Sequence, residues 1–405
     1  MKVLVLNSGS STIKYGLYDM PGATVLAQGF IERIGREDAR LMHRDTDGER
    51  SEAMRVPHHA AGFAALLELL AAHGAPDAIG HRVAHGGTRF RAPARIDADV
   101  LAAVQEMSPL APLHNPANLV GIEAAVAACP GVPQVAVFDT AFHHAMPECA
   151  WRFAVPEDWY TRYGVRRYGF HGTSIRFVSK VAAQCLGRDL EDLALVVLHL
   201  GNGASATAVD GGRSIDTSMG LSALDGLVMG TRCGDLDPAV HGYLAARAGL
   251  SPGEIDRQLH EESGLKGLCG ASDMREIEQR AAAGDARAAL AIEVFCHRAR
   301  RHVGALAASL GRLDAVVFTG GIGEHSAGVR ARICAGLGVL GVQLDAGKNG
   351  APGPLPAAVQ ADGSRAAVLV IATDEELEIA HQTIACLSAR PNEIGAEIGV
   401  RDGFS

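Results

Sequence analysis

The chain has 405 residues, 48% of them apolar and 20% charged, which excludes a disordered or fibrous protein and implies two or three domains. Lys and Arg number 37 against 46 Asp and Glu, a formal net charge of −9. That balance argues against a general nucleic-acid or anionic-membrane binder, so an anionic ligand needs a local basic pocket. Residues 2–6 form a short β-rich run that ends in a Gly/Ser turn at 7–11, and 13–18 read as a second strand. Apolar residues at helical spacing (Phe63, Leu66, Leu67, Leu70) predict a helix over 57–73. A strand over 78–85, a helix over 118–128 and a strand over 134–138 follow. Further strands are predicted at 193–200, 315–319 and 366–372, with a long helix over 286–310. Strands alternating with helices mean an α/β protein with a largely parallel sheet. The Gly/Ala/Pro-rich stretch 346–365 reads as a surface loop, and the polar tail from Arg390 as a frayed end.

No apolar run approaches the roughly 18 residues of a membrane span, and the N-terminus lacks signal-peptide architecture. The eight cysteines, none within 20 residues of another, give no CxxC pair and no zinc spacing. They read as reduced thiols of a soluble, cytoplasmic protein.

One internal echo stands out. LVLNSGSS at 4–11 aligns with LHLGNGAS at 198–205, 194 residues downstream. Either the match is chance, or the chain holds two copies of one α/β unit, each presenting a glycine turn. The first turn, NSGSSTIK, offers backbone N–H groups, hydroxyls and Lys14, the chemistry of a phosphate cradle, although taken alone a plain hairpin turn is the preferred reading. The second, GNGASA, matches a dinucleotide fingerprint, but that reading requires a helix next, and 204–209 reads as a strand. The third, FTGGIGEH, carries Gly320, Gly321 and Gly323, which would let a flat ring approach the backbone.

Arg82 and Arg232 stand in HRVAHGG and MGTRCGDLDP, where a guanidinium could grip a carboxylate or phosphate through paired hydrogen bonds. His81 and His85 have HxxxH spacing without the zincin Glu, so a zinc site is rejected. His171 lies between glycines in YGFHGTS, His114 lies in LAPLHNP, and Asp139 ends a predicted strand. In TDEEL, Thr373 and Glu376 have capping-box spacing, which leaves Glu375 as the freer carboxylate for a cation.

These blocks, taken in order with DTSMG and SGLKGLCGASDMR, closely resemble the acetate kinase family. That family belongs to the acetate and sugar kinase, heat-shock ATPase and actin superfamily. The resemblance implies two duplicated ribonuclease-H-like domains around a nucleotide cleft. It places an acyl-substrate-side domain at 1–145, closed by the C-terminal helix of 377–405, and a nucleotide-binding domain at 146–376. It implies reversible phosphoryl transfer between ATP and acetate with Mg2+, or Mn2+ in its place, by a cytoplasmic homodimer.

Site roles follow from the resemblance alone. Asn7 and Glu375 are similar to the family's metal positions, and Lys14 to a nucleotide phosphate contact. His199, Leu200, Gly201, Asn202 and Gly203 resemble the second phosphate turn. Asp273, Met274 and Arg275, with Gly321, Ile322, Gly323, Glu324 and His325, resemble the adenosine site. Arg82 resembles the acetate-binding arginine, and His171 and Arg232 the transition-state stabilisers. Asp139 and His114 complete the catalytic set. Leu113 and Phe170 keep the family identity of the acyl pocket, whereas Ala84 and Ala223 stand where the family usually has Val and Pro. A wider pocket admits a propionate or butyrate kinase as the alternative. An NAD-dependent dehydrogenase rests on GNGASA alone. A non-enzymatic ATP-binding regulator would have no need of the charged set.

Overall fold

The computed structural model describes residues 1–112 and 114–389, so the expectations for Leu113 and for the tail from Arg390 lie outside the described residues. The chain divides into two compact units. Unit 1 is Met1–Phe142 with the segment from Asp374 onward, and unit 2 is His143–Thr373. Both divisions fall three residues before the expected ends of domains at 145 and 376.

Unit 1 is built on an eight-stranded sheet. Its strands are β1 (Lys2–Ser8), β2 (Thr12–Asp19), β3 (Thr24–Glu32), β4 (Arg40–Asp45), β5 (Gly48–Ala53), β6 (Ala78–Val83), β7 (Ala94–Arg95) and β8 (Gln134–Phe138). The order is β5-β4-β3-β2-β1-β6-β8-β7. β1 to β5 form an antiparallel meander, and β6 and β8 run parallel to β1. The edge strand β5, GERSEA, is exposed throughout and charged, which blunts edge-to-edge pairing. Alternation along β1 sends Leu4 and Leu6 to one face, against Phe63, Leu66 and Leu70 of the helix His59–Leu70. Val3 and Val5 go to the other face, with Val135, Val137 and Ile379 of the helix Glu375–Ser388. Gly80 permits that packing, because a Cβ there would collide with Thr383 and with Ile379 at 2.9 Å.

Unit 2 repeats the plan with β9 (Ala194–Leu200), β10 (Ala204–Asp210), β11 (Arg213–Thr217), β12 (Ala315–Thr319), β13 (Ala357–Ala358) and β14 (Ala367–Val370). The order is β11-β10-β9-β12-β14-β13. β9, β10 and β11 are antiparallel, β12 and β14 run parallel to β9, and β13 closes the edge antiparallel, as β7 does in unit 1. The helix Ala286–Leu310 buries Ile292, Phe295, Val303 and Leu306 in this unit's core.

The α/β reading is borne out, and the 194-residue echo is a duplication of topology. A second repeat escaped the sequence reading. The Asp77 N–H donates to Lys2 O at 2.8 Å, while its carboxylate accepts the Lys2 N–H at 2.6 Å. Asp314 does the same to Ala194, at 2.9 and 2.8 Å. Each aspartate opens a D-A-(I/V) run and clamps the start of one parallel strand to its neighbour.

Two expectations are corrected. The cap of the last helix is Asp374, whose Oδ1 accepts the Leu377 N–H at 2.8 Å. Thr373 and Glu376 form no capping box, because Thr373 is drawn to Ser174 and Glu324 instead. The stretch 346–365 is not loop throughout, since it holds the helix Ala346–Gly350 and β13. The strand expected over 204–209 is β10, so no helix follows GNG and the dinucleotide-binding reading is removed.

Candidate active site

In unit 1, Asn7, Arg82 and Asp139 lie at the C-terminal ends of the adjacent parallel strands β1, β6 and β8, where α/β sheets present ligand groups. The β1–β2 register sets Lys14 opposite Asn7. Asp139 grips Arg82 through both oxygens: Oδ1 accepts from Nε at 3.2 Å and Oδ2 from Nη2. Arg82 Nη1 donates to Asn7 Oδ1 at 3.3 Å, and the Glu375 carboxylate lies 3.8 Å from Nε. Burial pulls the Arg82 guanidinium down, but the carboxylates of Asp139 and Glu375 outweigh it and hold Arg82 above its ordinary value. Burial pushes the Glu375 carboxyl up, against the pull of Arg82. Glu376 is also raised by burial, and by Glu375 beside it. Ala84 is buried next to this cluster in sequence, its N–H on Asn118 Oδ1. His114 occupies the cap position of the helix Asn115–Ala128 without a capping side-chain bond.

Unit 2 answers with a different set. His171 adopts the left-handed conformation (φ 59°, ψ 23°) at the start of the helix Gly172–Leu186, a cost of roughly 1 kcal/mol for a residue with a Cβ. Its ring stacks on His199, with centroids 4.2 Å apart. The Nδ1 atoms of both rings meet buried hydroxyls: Ser205 Oγ at 3.0 Å for His171, and Ser174 Oγ at 2.8 Å for His199. Ser174 Oγ also meets Thr373 Oγ1 at 2.8 Å.

A Cβ on Gly203 would stand 3.4 Å from His171 Nε2 and 3.7 Å from Arg232 Nη1, so two donor groups converge over this glycine. Arg232 donates to Ala223 O at 3.0 Å and touches Met229 Sδ at 3.7 Å. Among the described residues it has no carboxylate partner, and burial lowers its pKa. The GNG turn is fixed by Gly230, whose N–H donates to Asn202 O at 2.9 Å. Phe170 is buried in the same core, with Ala223 packed against it.

Beside this cluster lies a cavity of about 610 Å³, a size that suits a small ligand. Gly201, Asn202, Asp273, Met274, Arg275, Gly321, Ile322 and His325 line it, as expected for one site. Gly321 has open space where a Cβ would stand. Leu200, Gly323 and Glu324 are not among its walls. Leu200 is fully buried, and Glu324 Oε1 turns inward to accept the Gly320 N–H at 2.9 Å. The sequence reading missed Ser272, Glu278 and Ser326, which also line the cavity. Ser326 Oγ donates to Glu278 Oε1 at 2.6 Å and caps the helix Ala327–Cys334. Its cap position after FTGGIGEH was a usable signal. Ser174 and Ser205 were also missed, and nothing local marks them.

Residues 2–381 match the acetokinase family. The chain belongs to that family. An acetate kinase of Streptomyces griseus subsp. griseus is 52% identical over 404 residues, covering 97% of this chain and 98% of the relative. A crystal structure of Porphyromonas gingivalis acetate kinase superposes with a TM-score of 0.90 at 41% identity, covering 96% of this chain and 100% of that one. A propionate kinase structure from Francisella tularensis gives the same TM-score and identity over 95% of this chain and 99% of its own. The α/β fold of the chain is shared with these acetate kinase and propionate kinase structures. No helix among the described residues is long and apolar enough to cross a membrane.

Proposed function

We propose that the protein is an ATP:acetate phosphotransferase, making acetyl phosphate and ADP by direct in-line transfer, and able to run in reverse. The observation that carries this reading is the convergence of His171 Nε2 and Arg232 Nη1 over Gly203, beside a cavity of nucleoside size. Arg232 is half-buried without an anionic partner among the described residues, which is the state of a group that awaits a phosphoryl oxygen. In the reaction, a carboxylate oxygen of acetate bonds to the γ-phosphorus as the bond to the β,γ-bridging oxygen breaks. Acetate is already ionised near neutral pH, so no strong base is needed. The barrier lies in two anions meeting and in charge spread over the transferred group, which Arg232 and His171 answer. Arg82 binds the acetate, and Asp139, holding Arg82 through two bonds, orients it rather than taking a proton. His114 completes the catalytic set, and the walls of the unit 2 cavity hold adenosine.

Asn7 and Glu375 are the proposed Mg2+ positions. An amide oxygen and a carboxylate oxygen gathered around Arg82 suit a hard cation that keeps its waters and shares phosphate oxygens. Among the described residues no group of three or more His, Cys, Asp or Glu could hold a metal, so protein ligands alone would not make this site. When bound, the ion would neutralise phosphate charge. Lys14, opposite Asn7, is the proposed phosphate contact of unit 1.

The protein is further proposed to be a cytoplasmic homodimer. All eight cysteines are free, in keeping with a reducing compartment. The helix Ala239–Ala248 buries none of its residues, yet carries Val240, Tyr243 and Leu244. Tyr243 is 62% exposed. A short helix of this composition draws its stability from a covering surface. A second reading, propionate kinase, is favoured by Ala223, whose carbonyl accepts from Arg232 Nη1 and whose small side chain stands where the family usually has Pro. An ATP-dependent acyl-hydroxamate assay across formate, acetate, propionate and butyrate tests both readings, and no product with any acid would overturn them.

A further inference from the structure

We propose that Ser205 is a positioning residue for phosphoryl transfer, acting through His171. The proposal rests on the kinase reading above and adds how that histidine is kept ready. Ser205 is fully buried in β10, and its Oγ lies 3.0 Å from His171 Nδ1. The other ring nitrogen, Nε2, faces the point over Gly203 that Arg232 Nη1 also approaches.

The choice of a hydroxyl is what matters. To stabilise a phosphoryl oxygen, Nε2 must carry a proton. A backbone carbonyl or a carboxylate at Nδ1 only accepts, so a neutral ring beside it would hold its proton on Nδ1 and turn a bare lone pair toward the phosphate. A hydroxyl both donates and accepts. It donates to Nδ1 when the ring is neutral and accepts from Nδ1–H when the ring is charged. With Ser205 donating to the neutral ring, His171 can present Nε2–H in either charge state without moving. The stacked His199 limits ring rotation on one side, and its own Nδ1 is held by Ser174 in the same manner. His171 stands on a left-handed backbone, and on this proposal the Ser205 hydroxyl, by donating to Nδ1, keeps the proton of the neutral ring on Nε2.

A double-mutant cycle separates this role from a structural one. Ser205→Ala should lower kcat by about 10- to 100-fold, the scale for losing the partner that orients an active group. KM for ATP should stay within about twofold of wild type, because the adenosine walls are untouched. In a His171→Ala background, Ser205→Ala should change kcat by less than about twofold. Ser205→Cys keeps the volume while weakening the hydrogen bond, and serves in place of the alanine variant if that one does not fold. Equal losses in both backgrounds, or a wild-type kcat in Ser205→Ala, would overturn the proposal. The 15N shifts of His171, read about two pH units above the usual histidine value of ~6.5, give a second readout that needs no turnover. Protonated Nε2 is expected in the wild type, and protonated Nδ1 overturns the proposal. A wild-type protein that makes no acyl phosphate would defeat the kinase reading alone, and the 15N result would still decide the placement of the proton.

Discussion

The two units share one sheet plan and one aspartate clamp, yet they treat a buried arginine in opposite ways. In unit 1, Arg82 is ringed by Asp139, Glu375 and Asn7, and its charge is neutralised in place. In unit 2, Arg232 leans on a carbonyl and a thioether, and burial works against its charge unopposed. The same scaffold thus yields one satisfied ion cluster and one unsatisfied cation. The first is stable by itself. On the proposed function, the second gains its counter-charge from a phosphoryl group.

The contrast is broken most directly by Arg232→Ala. On the proposed mechanism it lowers kcat by about 10³-fold or more. The melting temperature should hold or rise, because the lost charge has no protein partner. Steady-state kinetics with a thermal melt measures both, and a near-normal kcat would defeat the assignment. Arg82→Ala should behave differently, destabilising unit 1 by about 3 kcal/mol, since it takes the two-bond guanidinium partner from the buried Asp139 carboxylate. A denaturant titration reads this, and an unchanged midpoint would mean that the cluster is not a paired one. Tyr243→Glu, on the helix that buries nothing, should convert a dimer to a monomer by light scattering, with unit 1 unaffected.

The clamps sharpen the comparison on a smaller scale. Burial would raise the Asp314 carboxyl, but Arg188, the Ala194 N–H and Arg312 hold it below the usual carboxylate range. An acid lowered on folding stabilises above its unfolded pKa, and that contribution is lost as pH falls through the folded one. Asp314→Asn should therefore cost about 1–2 kcal/mol at neutral pH, the scale of a charge-assisted hydrogen bond. The gap from wild type should close only in acid, below the unperturbed carboxylate value of 3.8. Melts across that range check it, and a gap independent of pH would mean that ionisation plays no part. The smallest effect is expected from Ala223→Pro, which should raise the acetate-to-propionate ratio of kcat/KM by about threefold. An unmoved ratio would place the acyl chain elsewhere.

Most of the fold was legible because the parallel strands are continuous apolar runs. β1, β8, β9 and β12 coincide with runs that read as strands with no partner in view, since strands buried on both faces leave no polar alternation. The meander β3 to β5 was not legible, because its charged outer strands resemble loop. The capping box at Thr373 failed for a related reason. The spacing was right, but Ser174 and Glu324, 199 and 49 residues away in sequence, compete for Thr373.

By itself the sequence determined the α/β class, the glycine turns and the residue types at the ends of the parallel strands, and it raised the duplication that the two sheet orders then established. Those properties are local, set by hydrophobic period and by the backbone freedom of glycine. Only the tertiary structure decided which charges are cancelled. Arg82 and Arg232 are alike in sequence, each beside a glycine motif, and their difference lies in carboxylates brought from 57 and 293 residues away to one of them. Ser205 shows the same limit from the other side. A serine in a strand carries no signal until folding sets its hydroxyl against His171, because the direction of a hydrogen bond belongs to the pair and not to either residue.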